Sequence, residues 1–218
     1  MIIMLVAIVG LIFGGCNRQY SDFFPYNDDG TPKPHVALLP VIDNSSENLS
    51  WNFSEEFSTS IRKELQKHGK LFLPSSSIID EKVSLFNENE LITSSNLKPY
   101  AQFQPAQYVV LLELVEHKEI PYKRSKIKPI YPANIPDNMA AVIMMKVRMK
   151  IVNIIGGNPK ILRQEIISSN HMVKNGATNE SLKLLGTPAF LQSPLHLVHQ
   201  RLSNDLAEKI EWITSRQR

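Results

Sequence analysis

One cysteine, Cys16, occurs in 218 residues. A single thiol excludes a disulfide framework and any zinc site built from several thiolates. Charge is nearly balanced, with 24 Lys and Arg against 21 Asp and Glu and a formal net charge of +3. Spread over the whole chain, that is too weak a field for a nucleic-acid footprint. Glycine is scarce, at 9 residues, and no phosphate loop or dinucleotide fingerprint is present: Gly14-Gly15 closes an apolar run and Gly156-Gly157 lies in a hairpin turn. Ser75-Ser76-Ser77 lacks a Gly-x-Ser-x-Gly context, so a nucleophile elbow is unsupported. No apolar run reaches the roughly 20 residues that cross a bilayer. What is present is 43% hydrophobic residues, enough for one domain with a packed core and too much for a disordered chain.

The first fifteen residues are apolar, and no charge appears before Arg18. Their length fits the apolar region of a secretory signal, which is removed. Small residues Gly14 and Gly15 stand just before the only cysteine, so a peptidase groove that accepts small, extended side chains would cut between Gly15 and Cys16. This arrangement resembles the bacterial lipoprotein lipobox, with Phe13 where that pattern favours Leu and without the usual early Lys or Arg. The resemblance implies that the Cys16 thiol takes a diacylglycerol and that the new amino group is acylated. Several acyl chains at about 0.8 kcal/mol per buried CH2 make release negligible. Asn17 in place of Asp then favours delivery to the outer membrane, with the domain facing the periplasm. The alternative is a free, buried thiol behind an uncleaved anchor. Residues 17–34 are rich in turn formers and hold no period, so 16–34 read as a lipidated tether. Its aromatics, Tyr20, Phe23, Phe24 and Tyr26, are expected to dock partly on the domain, the alternative being that they rest at the bilayer interface.

A single domain is expected over 35–218. Val36 to Ile42 reads as a buried strand, with Pro40 marking an edge or bulge. A helix follows, capped by Asn52 and ended by Gly69, with Phe53, Phe57, Ile61 and Leu65 on one stripe. Leu71-Phe72-Leu73 reads as a second short strand, and short helices are expected near 78–84 and 88–95. Tyr108 to Val115 reads as a central strand and 117–138 as an exposed, basic, proline-rich loop. From Met139 to Ile155 apolar and basic residues alternate, the mark of a half-exposed antiparallel strand. Gly156-Gly157-Asn158-Pro159 turns it into a partner strand, about 160–173. Ser193 caps a last helix, with Pro194 at its first position. The expected fold class is α/β, an α+β two-layer arrangement: a mixed sheet with a long antiparallel hairpin and helices packed mainly on one side.

The order of these segments resembles a group of bacterial envelope proteins: the curli-secretion lipoproteins, the penicillin-binding-protein activator lipoproteins and the amino-terminal domain of the Tol-system propeller protein. Val36-Ala37-Leu38-Leu39-Pro40-Val41 echoes their first strand. Pro105 to Glu113 echoes a later one, with Gln107 for Asp and Leu112 for Gly. Ile151 to Ile161 echoes their hairpin, with Asn153 for Asp. The chain is also similar in character to uncharacterised lipoproteins of chlamydia-like bacteria. A weaker resemblance is to the lipopolysaccharide-assembly lipoprotein. These likenesses imply a non-enzymatic, lipid-anchored protein that docks on an envelope partner such as a cell-wall synthase or an assembly machine. The alternative is a subunit supporting an outer-membrane barrel.

Candidate chemistry is sparse. His196 and His199 stand at i, i+3 on the last helix, close enough to share a metal, but no third ligand is indicated and surface or capping roles are expected. Glu113, Glu116 and Glu119 with His117 read as a solvated strand edge. Lys123, Arg124, Lys126 and Lys128 make the one charge cluster of note, which Lys146, Arg148 and Lys150 extend across the open face of the sheet. These seven are the candidate partner-binding residues. No catalytic residue, metal, cofactor beyond the lipid on Cys16, nucleic acid or small-molecule substrate is expected.

Overall fold

The computed structural model describes residues 24–45, 52–86, 91–92, 96–121, 141–173 and 187–216. A five-stranded mixed sheet organises them. Strands β1 (Val36–Leu38) and β2 (Ile42–Asp43) are two pieces of one run, broken at Pro40, and both pair in parallel with β3 (Tyr108–Pro121). Proline has no N–H to give a ladder, which accounts for the break. Strand β4 (Ala141–Asn153) lies antiparallel to β3, and β5 (Lys160–Val173) antiparallel to β4. The long hairpin, the mixed sheet and the class are as expected. The expected strand at Leu71-Phe72-Leu73 contracts to a single bridge, Phe72 beside His35.

Helix α1 (Phe53–His68) follows its caps. The Asn52 side chain accepts from Glu55 N at 3.2 Å, and Gly69, at φ 66, sends its N–H to Leu65 O. A Cβ at that left-handed position would be strained. Helix α2 (Ser76–Val83) is followed by a 3-10 turn over Lys98–Phe103, a four-residue helix α3 (Pro188–Leu191) and the long α4 (Pro194–Ser215). The Ser193 hydroxyl accepts from His196 N at 3.1 Å, as its N-cap role requires.

Alternation divides the core. One face of the sheet (Val110, Leu112, Leu114, Met145, Val147, Met149) packs on α1 and α4 through Phe57, Ile61, Leu65, Leu202 and Leu206. A smaller core lies on the other face, where Ala37, Val109, Leu111 and Val152 meet Ile79, Leu91, Tyr100 and Phe103. Both main helices therefore lie on one side, and among the described residues short elements cover one end of the other.

Two expectations shift. Residues 117–121 continue β3 instead of starting a loop, because their backbone pairs with 141–145 of β4. Part of the expected tether is folded: Lys33 N donates to Pro25 O, Tyr26 bridges Pro32, and Phe72 N donates to Pro34 O. Phe24 and Tyr26 are 57% and 59% exposed; Tyr20 and Phe23 lie outside the described residues.

Candidate functional site

Strand β3 carries an irregularity that places its polar residues. Its register against β4 shifts between Leu114 and Glu116, leaving Val115 as the extra residue. A bulge resets the alternation. Leu114, opposite Val147, faces the helices; Glu116 then lies opposite Lys146 on the outer face, and His117, opposite Met145, returns to the helix side.

The outer face is a ladder of paired charges. Glu116 meets Lys146 at 2.6 Å and also Lys118. Hydrogen bonds from Lys118 and Lys146 hold the Glu116 carboxyl below its usual range. Glu113 pairs with Arg148 and accepts from the Asn44 amide. Opposite-charge cross-strand pairs of this kind favour the observed register. Ile166, 55% exposed, stands directly opposite Arg148 on β5. Lys146 and Arg148 thus do lie on the open face. Lys150 does not, which corrects its expected place in an exposed patch. It is 5% exposed and donates to Ile92 O at 2.8 Å and Leu91 O at 3.4 Å. The second core closes over this end of β4, and burial, with Arg148 adding to it, lowers the Lys150 ammonium pKa. Lys123, Arg124, Lys126 and Lys128, with Gly15 and Cys16, lie outside the described residues.

On the inner side a polar chain crosses the core. His117 Nε2 is 3.1 Å from His199 Nε2, and His199 Nδ1 is 3.0 Å from Glu56 Oε1. His196 Nδ1 lies 3.5 Å from the same carboxylate oxygen. His117, His199 and Glu56 are 1%, 0% and 7% exposed, so the surface roles expected for the two histidines are corrected. One proton arrangement satisfies the row. Glu56 accepts from His199 Nδ1–H, and the free His199 Nε2 accepts from His117 Nε2–H. Phe53 presents its ring to both imidazoles, with centroids 5.1 and 4.8 Å away. Burial pushes the His199 pKa down, against the pull of Glu56. The row is a relay of contacts and does not converge on a point, and no group of metal-ligand type exists among the described residues. None of the clefts described here is lined by these three residues. One of about 580 Å³ lies between Pro40 and Arg62, one of about 720 Å³ beside Trp212, and one of about 410 Å³ at Gln107 and Ile155. This row ties β3, α1 and α4 together.

Sequence reasoning missed this row, although a signal existed. Leu195, His199, Leu202 and Leu206 follow 4, 3, 4 spacing, so His199 belongs to the buried stripe. Glu56, one residue from Phe57, had no such signal.

These features define a class: an open mixed sheet with a parallel helix pair on one face and a salt-bridged ladder on the other. Residues 22–217 match a family of unknown function, DUF7499, and the chain belongs to that family. Its fold is also that of the hypothetical protein CT253 from Chlamydia trachomatis, with a TM-score of 0.63 and 23% identity over 85% of this chain and 100% of that one. Weaker likenesses are to the lipoprotein GNA1162 from Neisseria meningitidis (TM-score 0.44, 12% identity, 67% of this chain and 90% of that one) and to the LpoB C-terminal domain from Salmonella enterica (0.37, 17%, 67% and 87%). The expected likeness to an uncharacterised chlamydial protein is therefore found. No curated protein matches the sequence.

Proposed function

We propose that this protein is a lipid-anchored component of the bacterial envelope, held at Cys16 on the periplasmic side of the outer membrane, whose domain docks on a protein partner without catalysing a reaction. The observation that carries the reading is the position of the sole cysteine, directly after a fifteen-residue apolar run that ends in two glycines. Anchoring confines the domain near its target and raises the effective concentration of the encounter. The outer face of β4 and β5 supplies the docking surface, because Lys146, Arg148 and Ile166 combine exposed charge with an apolar centre. Lys123, Arg124, Lys126 and Lys128, outside the described residues, are candidates for the same partner by their charge alone.

Two measurements test this. Palmitate labelling in cells should mark the wild-type chain and not Cys16→Ser; an unlabelled wild type would refute the anchor. A photo-crosslinker at position 166 should capture one envelope protein, and the adduct should vanish when Lys146 and Arg148 are changed to Glu. An adduct indifferent to those charges would move the docking surface elsewhere. Capture of an outer-membrane barrel would assign the domain to assembly of that barrel.

A further inference from the structure

Helices α1 and α4 run parallel. Glu56 near the start of α1 meets His196 and His199 near the start of α4, while His68 and Lys70 at the far end meet Glu211. The far end also holds the first described residues and the β4–β5 turn. Phe72 N donates to Pro34 O, Gln107 N to His35 O, and Ile154 N to Gln107 O, which links these segments edge to edge.

Among the described residues, five of the ten large exposed hydrophobic ones collect at this end: Phe24 (57%), Tyr26 (59%), Ile155 (52%), Ile161 (47%) and Trp212 (55%). Cations stand among them. The Lys67 and Lys70 side chains are 69% and 68% exposed, Lys160 is exposed, and Arg216 lies 4.1 Å over the Trp212 ring. Of the acids here, Glu211 is buried under Lys70 and His68, and Glu64 is paired with Lys67. Asp28, Asp29 and Glu208 are the exposed ones lying near Tyr26 and Trp212. Aromatic and aliphatic side chains interspersed with Lys and Arg, on two helix ends and a turn, are the composition of a surface that rests in lipid headgroups.

We infer that this end of the domain lies on an anionic phospholipid surface, with Trp212 in the headgroup layer and Lys67, Lys160 and Arg216 on the phosphates. The inference rests on the anchor at Cys16 for its geometry. Phe24 lies eight positions after Cys16 (24 − 16), and at about 3.5 Å a step those eight steps span at most about 28 Å. The end that receives so short a tether stays next to the membrane, and the β4–β5 outer face is left free for a partner.

The test uses the full chain on vesicles with brominated acyl chains, either phosphatidylcholine alone or mixed with phosphatidylglycerol. Trp212 emission is isolated by difference from Trp212→Phe. Quenching is expected on the anionic vesicles, with loss in high salt and in Lys67→Glu/Lys160→Glu/Arg216→Glu, whose fold is checked by circular dichroism. Lys70 is left intact because its ammonium supports Glu211. If the triple variant does not fold, the salt dependence of the wild type decides. Trp212 emission that is equally bright with and without bromine, on a chain that has bound the vesicles, would overturn the inference. An unlipidated residue 16 found by mass spectrometry would refute the anchor alone, since Trp212 quenching at excess anionic vesicle reads this surface directly.

Discussion

At the scale of single residues, the row His117–His199–Glu56 places a neutral imidazole where water cannot reach it. Burial depresses the His199 pKa, and His117 and His196 add to the depression while Glu56 opposes it. In the unfolded chain the same ring takes a proton near pH 6.5. As pH falls below that value, the unfolded state binds a proton that the folded state refuses, so stability declines by up to about 1.4 kcal/mol per pH unit until the folded ring also titrates. Above about pH 7 this ring contributes no pH dependence. His35 and His171, both lowered chiefly by burial, act in the same direction. Urea midpoints should therefore fall between pH 7 and pH 5. The His199 ring protons should hold their neutral chemical shift through pH 6.5; a normal titration curve for this ring would contradict its burial. That His199 is buried could be read from its place among Leu195, Leu202 and Leu206. That its partner is a histidine on a strand more than eighty residues away could not.

Among the elements, caps and stripes were the most legible features. Asn52, Gly69, Ser193 and Pro194 all do what their residue types imply. Replacing Asn52 or Ser193 by Ala should each cost about 1 kcal/mol, read as a lowered denaturation midpoint. The bulge at Val115 was not legible. Glu113, Glu116 and His117 look in sequence like charges leaving a strand, but the extra residue sends Glu116 out to Lys146 and His117 in to His199. Deleting Val115 makes the ladder regular without changing which face either residue takes, so that variant should fold with the histidine contact intact. Deleting Leu112, in the regular part of β3, turns neighbouring side chains to the wrong faces. It should yield no cooperative unfolding transition. A Val115 deletion that fails to fold while Leu112 can be removed would show the bulge assignment to be wrong.

Across the whole molecule, two surfaces lie in different directions: the salt-bridged outer sheet face, and the end where both helices finish. Helix C-termini carry partial negative charge, and Lys67, His68 and Arg216 gather there. The same cations offer a fringe for phosphates. Docking and membrane contact can then occur together, one surface each. Charge reversal on the sheet face should abolish the partner crosslink and leave Trp212 quenching unchanged. Reversal at the helix ends should do the opposite. Loss of both together from either change would mean one surface serves both roles.

The class of fold, the helix limits and the proposed site of lipid attachment are all read from the chain's local grammar. Periodicity, capping residues and the sole cysteine each act within a few positions of themselves. Which alternating face meets helices and which meets water depended on packing between distant segments. Lys150 was drawn under the Leu91 backbone, His117 was turned inward by one extra residue, and Trp212 was brought to the end where the tether enters. Such placements are set by burial and pairing across the sheet, where the free energy of a contact depends on a partner that sequence order does not identify.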